Sequence, residues 1–212
     1  MGTEHRPTAE ALDRTVQTTQ TNLLWAVRDG KNKEAWVSFY RIYGTMVGQF
    51  VRRLGLSHAD AEDATQEVLL VAHKSLREGV YDPAKGRFRG WLYGIAKKRA
   101  MVALRERARR TRVQLRPCED GPDRLDLIED SHGEEATRQI WESEWRYALL
   151  DEALRHVQTT AGDKEYKAFV MSAVENRPVE EVAAQLALSA SSVYVYKSRI
   201  LAAIREWIEQ FK

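Results

Sequence analysis

The chain has 212 residues, of which 43% are hydrophobic and 30% charged, and its formal net charge is +2. That length accommodates one large domain or two small ones, each with its own core. The single cysteine, Cys118, excludes an intramolecular disulfide and a cysteine-based metal cluster, and no apolar run approaches the roughly 20 residues of a membrane span.

The N-terminal stretch MGTEHRPTAEALDRTVQTTQ lacks the apolar core of a signal peptide. The expectation is a soluble, cytoplasmic protein without membrane association, with residues 1–19 as a flexible tail. Glycine and proline are sparse and strand-like alternation is almost absent, so the predicted class is all-α.

Helical periodicity starts near Asn22 with Leu23, Leu24 and Val27. After Asp29-Gly30 it continues through Trp36, Phe39, Tyr40, Tyr43, Met46, Val47, Phe50, Val51 and Leu54 to a stop at Gly55. Ser57 is placed to cap the next helix, with Asp60 three positions on, where a capping box wants an acid. The apolar stripe of that helix is Ala61, Ala64, Val68, Leu69, Val71, Ala72 and Leu76. His58, Asp60, Glu62, Asp63, Gln66 and Glu67 crowd its start. The spacing does not assemble a metal shell, and the helix dipole favours acids in a first turn. A solvated face and a partner-docking face are the remaining readings.

The loop EGVYDPAKG follows, broken by Asp82-Pro83 and Gly86. A long helix is then predicted from Arg87 to Arg110. Tyr81 to Ala100 (YDPAKGRFRGWLYGIAKKRA) contains four aromatic residues and six Lys or Arg. Phe88, Leu92 and Ile95 fall on one helical face and are assigned to the core. Tyr93 is expected to one side, with Lys97, Lys98 and Arg99 outward. Exposed rings beside cations suit single-stranded nucleic acid, in which bases stack while Lys and Arg follow the backbone.

The charge then changes sign. Residues 97–112 carry eight basic groups and one acid, whereas Cys118 to Glu135 carries eight acids and one Arg. This acidic, Gly- and Pro-containing segment is the predicted boundary: a domain at 20–112, a linker at 113–140 and a second domain at 141–212. Within the last, helices are expected at about 142–158, 164–175, 179–187 and 190–211.

In VEEVAAQLALSASSVYVYKSRIL, the residues Val179, Val182, Ala183 and Leu186 make one apolar face, and a short turn leads to a second helix. This is the pattern of a helix-turn-helix, whose second helix lies in the DNA major groove. Ser189, Ser191, Ser192, Tyr194, Tyr196, Lys197 and Arg199 are the candidates to meet phosphates and base edges. Ala187 stands where such turns often have Gly.

DAEDATQEVLLVAHKSL followed by YDPAKGRFRGWLYGIAKKRA resembles region two of bacterial sigma factors, and ENRPVEEVAAQLALSASSVYVYKSRIL resembles region four. With only a linker between them, the layout resembles the extracytoplasmic-function (ECF) group of the sigma-70-type family. The resemblance implies core RNA polymerase and promoter DNA as partners, an anti-sigma factor as a further one, and neither cofactor nor catalytic residues. It implies polymerase docking by Asp60, Asp63, Gln66 and Glu67. It implies capture of the melted minus-ten element by Tyr81, Asp82, Lys85, Arg87, Phe88, Arg89, Trp91, Tyr93, Lys97, Lys98 and Arg99. The helix-turn-helix would read the minus-thirty-five element. Two features depart from the family: Tyr194, Val195 and Tyr196 stand between Val193 and Lys197, and Lys98 replaces a frequent Asn. The alternatives are a conventional helix-turn-helix regulator that does not dock on polymerase, and a helical adaptor that binds protein alone.

Overall fold

The structure, a computed structural model, describes residues 23–28, 32–114 and 133–211, with side chains to residue 110 in the second of these segments. The predicted tail, Cys118 and most of the predicted linker lie outside the described residues. Among the described residues every regular element is helical, as the periodicity predicts.

Helix α1 covers residues 23–28. Helix α2, Lys33–Phe39, begins at Asn32, whose side chain accepts from the Ala35 amide at 2.9 Å. It runs through a π-helical turn, Tyr40–Gly44, into α3, Thr45–Arg53. The turn brings Phe39, Ile42, Tyr43, Met46 and Val47 into one buried face. Gly44 is closely approached here: a Cβ would meet the Tyr40 ring at 3.3 Å and Leu69 at 3.4 Å.

The chain reverses at Gly55, whose φ of 103° lies in the region other residues avoid. Helix α4, His58–Arg77, then starts at Ser57. The Ser57 hydroxyl accepts from the Asp60 amide at 3.2 Å and donates to the Asp60 carboxylate at 2.6 Å. Ala61, Ala64, Thr65, Val68, Leu69, Ala72 and Leu76 form its buried face. A short 3₁₀ turn, Pro83–Lys85, lies in the following loop, and α5 spans Phe88–Gln114. Its buried positions are Phe88, Leu92, Tyr93, Ala96, Ala100 and Leu104.

Helix α6, Glu134–Thr160, starts earlier than the periodicity predicts. The described residues divide into two compact units at Ala148–Leu149, inside this helix. The part up to Ala148 belongs to the first unit and buries Thr137, Trp141, Glu144 and Trp145. Trp141 meets Phe50 edge-on at 5.0 Å and Tyr93 at 5.5 Å, and Trp145 stacks on Tyr43 at 5.6 Å. The boundary expected at 140/141 therefore differs from the packing, which carries α6 onto the first unit as far as Ala148.

The second unit contains the rest of α6, then α7, Asp163–Phe169, with a π turn at Val170–Val174, α8, Val179–Leu186, and α9, Ala190–Glu209. It has two apolar clusters. Ala153, Val157, Phe169, Ile200 and Ile204 form one, and Ala168, Met171, Val182, Ala183 and Val193 form the other.

Candidate nucleic-acid interface

On α4 the inward stripe leaves the opposite face open. Asp63, Gln66 and Glu67 are exposed there. Leu70, two-thirds exposed, completes the row at helical spacing. Sequence reasoning passed over Leu70, although its absence from the apolar stripe was the available signal. Asp60 is committed in part to the cap described above. His58 pairs with Glu62 at 3.4 Å, away from Asp63. A groove of about 280 Å³ opens between the π turn with α3 and α4, bordered by Tyr40, Gly48, Glu62 and Gln66. Among the described residues no group of three or more His, Cys, Asp or Glu is placed to hold a metal ion.

The aromatic and basic stretch separates into an open part and a covered part. In the open part, Asp82 caps the 3₁₀ turn through the Ala84 amide at 3.0 Å, and the Tyr81 hydroxyl donates to the Gly86 carbonyl at 3.1 Å. Tyr81 packs edge-on to Phe88 at 5.2 Å and against Trp91 at 5.4 Å. Burial, and secondarily Asp82, raises the pKa of the Tyr81 hydroxyl, so it remains a neutral donor. Tyr81 and Trp91 are each partly buried, beside exposed Lys85, Arg87 and Lys98. Phe88 is 1% exposed and supports these rings from beneath.

The covered part corrects the sequence reading. Tyr93 does not present a ring to solvent: it is buried against Phe50 and Trp141. Its hydroxyl donates to Glu134 Oε1 at 3.1 Å, and Arg138 lies over its ring. Burial, reinforced by that hydrogen bond, pushes the Tyr93 hydroxyl up to about 12. Lys97 pairs with the other oxygen of Glu134. Hydrogen bonds from Lys97 and then Tyr93 hold the Glu134 carboxyl below its ordinary range. Arg89 pairs with Glu142 at 3.1 Å and lies 5.3 Å from the Trp145 ring. Burial lowers the Arg89 pKa, and Glu142 opposes that shift. Arg99 reaches back to Glu67 at 3.2 Å. Ile95, assigned to the core, is only partly buried, and Ala96 takes the inward position.

In the second unit, α8 ends at Ala187, which adopts the left-handed conformation with φ 50° and ψ 58°. The Leu188 amide returns to the Ala183 carbonyl at 2.9 Å, closing the turn. Ser189 then caps α9 by accepting from the Ser192 amide at 3.1 Å, and its hydroxyl contacts those of Ser191 and Ser192 at 2.9 and 2.8 Å. The two helices are thus joined by a tight turn and share the apolar cluster of Val182, Ala183 and Val193, as the sequence pattern predicts. Tyr194, Val195, Ser198 and Arg199 are exposed on α9, and Lys197 is partly covered. Tyr196 packs against the second apolar cluster and is not an outward residue. Val195, exposed beside Tyr194, was not among the sequence candidates.

Residues 39–110 match the family described as Sigma-70 region 2. This span of the chain is similar to sigma-70 region 2. The matched span takes in the π turn and α3, the acidic α4, the loop and most of α5. The ECF RNA polymerase sigma factor RpoE of Cereibacter sphaeroides is 23% identical over 94 residues, 44% of this chain. The chain spans about half the length of that relative (51%). The ECF sigma-factor resemblance read from the sequence is thus shown by the region 2 match together with this relative. The matched residues place the acidic face of α4 and the aromatic loop-helix junction on one folded unit. No helix among the described residues is long and apolar enough to cross a membrane.

Proposed function

We propose that the protein is an ECF-type sigma factor, which binds core RNA polymerase and directs initiation at specific promoters. The observation that carries the reading is the sigma-70 region 2 match at 39–110, over a fold that leaves Asp63, Gln66 and Glu67 exposed. Asp63, Gln66, Glu67 and Leu70 dock on the polymerase. Asp60 contributes chiefly by capping the docking helix. Tyr81 and Trp91 supply stacking faces for bases of the melted minus-ten element, while Lys85, Arg87 and Lys98 follow its backbone. Stacking contributes roughly 1–3 kcal/mol per base, and extracting a base from the duplex costs a few kcal/mol. Strand opening therefore needs the polymerase as well as these contacts. Helix α9 reads the minus-thirty-five element through Ser191, Tyr194, Lys197 and Arg199. The polymerase carries out the chemistry, and the place of action is the cytoplasm.

The deciding experiment is a pull-down of bacterial core RNA polymerase with the purified protein. Stoichiometric binding that is lost in Asp63→Lys/Glu67→Lys, with the fold retained, is the expected result. Unchanged co-purification of that variant would refute the docking assignment. No binding by the wild type, with duplex DNA still shifted in a gel, would assign a conventional regulator.

A further inference from the structure

Two cations and one ring of the expected strand-binding surface are occupied by acids from a distant part of the same chain. On α5, Arg89, Tyr93 and Lys97 recur every four residues and therefore share a face. On α6, Glu134, Arg138, Trp141, Glu142 and Trp145 share the facing side. The contacts run antiparallel: Lys97 and Tyr93 with Glu134, then Arg89 with Glu142. The two carboxylates are set eight residues apart on one helix, about 12 Å along its axis, so they present a line of negative charge to the cations.

The anchoring is apolar. Trp141 is 2% exposed and Trp145 is 4% exposed. The Arg53–Glu144 ion pair, at 2.9 Å, adds a third attachment on α3. The acids are thus held over α5 by a packed helix and not by a loose tail.

We propose that the N-terminal half of α6 is a built-in competitor for nucleic acid, in which Glu134 and Glu142 occupy Lys97 and Arg89 in place of backbone phosphates. The inference rests on the strand-binding reading of α5. The buried tryptophans keep α6 in place, so an incoming strand competes with the two carboxylates and not with the helix. The surface available to the strand then narrows to Tyr81, Trp91, Lys85, Arg87 and Lys98.

The test compares the full-length wild type with Glu134→Gln/Glu142→Gln, alone and bound to core polymerase. A fluorescein-labelled single-stranded DNA is titrated over a range of salt. Both carboxylates are partly exposed and both tryptophans remain, so the variant is expected to fold, with an unchanged circular dichroism spectrum. Each phosphate contact to a single strand contributes about 0.7 to the slope of log K against log salt. Freeing two cations should therefore steepen the slope by about 1.4 and tighten binding on the order of tenfold at low salt. Glu34→Gln/Glu135→Gln removes the same total charge elsewhere and should leave the slope unchanged. A wild type that binds with the same slope as Glu134→Gln/Glu142→Gln would overturn the competitor and leave the strand reading standing. An equal steepening in the control pair would also overturn it. Failure of every protein to bind the strand, free or with polymerase, would overturn the strand reading and the competitor with it.

Discussion

Replacing Trp141 with Ala tests whether the start of α6 is part of the first unit or a tether. Trp141 is 2% exposed, and its ring is 5.0 Å from Phe50 and 5.5 Å from Tyr93. Truncating a buried aromatic side chain costs about 3–5 kcal/mol, whereas a substitution in a solvated tether stays within about 0.5 kcal/mol. The larger figure is a large share of the ~5–15 kcal/mol that holds a domain together. It corresponds to a fall in Tm of roughly 10–20 °C for a unit of this size. Hydrogen exchange read by mass spectrometry locates the effect. Peptides of α3 and α5 should lose protection, while peptides of α8 and α9 should keep it. The Trp141 indole Nε1 has no hydrogen-bond partner among the described residues. Trp141→Phe removes that unpaired donor and keeps the aromatic contact, so it should recover more than half of the loss. A cost below about 1 kcal/mol for Trp141→Ala, or exchange confined to residues 163–204, would refute the assignment of this segment to the first unit.

Ala187→Gly should stabilise the second unit by about 1 kcal/mol, because Ala holds a left-handed conformation there that glycine adopts without the Cβ clash; urea denaturation of the two proteins measures it. Trp91→Ala should spare polymerase binding but slow promoter opening, since the ring stands over Phe88 at the edge of the proposed strand surface; normal permanganate reactivity of the bubble would contradict this. The Tyr93 hydroxyl has a folded pKa near 12 against an ordinary 10.0, so its contribution is complete below pH 10 and lost as pH rises toward 12. Tyr93→Phe should therefore flatten the fall in stability across that window, and an unchanged difference between urea midpoints at its two ends would count against the Glu134 contact.

Much of the local architecture could be read in the chain itself. The Ser57–Asp60 cap, the break at Gly55, the inward stripe of α4 and the turn between α8 and α9 each depend on residues within a few positions of one another. Helical periodicity and capping chemistry are local, so they leave a local signature. The outward placement of Asp63, Gln66 and Glu67 followed for the same reason, as the complement of the apolar stripe.

The covered part of the α5 surface did not have such a signature. Tyr93, Lys97 and Arg89 look outward when α5 is considered alone, and Glu134 and Glu142 look like ordinary acids at the end of a charged segment. Their pairing spans 37 to 41 residues for Lys97 and Tyr93. It exists because Trp141 and Trp145 found a pocket beside Phe50, Tyr93 and Tyr43. Tyr196 shows the same effect on a smaller scale, since only the packing of α9 against its neighbours turns it inward. Neighbouring residues alone sufficed to mark most of the helical segments, several of their caps and breaks, and the apolar face of most helices, but not the early start of α6 at Glu134. Tertiary structure decided which helix covers which face, because burying a large ring depends on a cavity assembled from residues far apart in the chain.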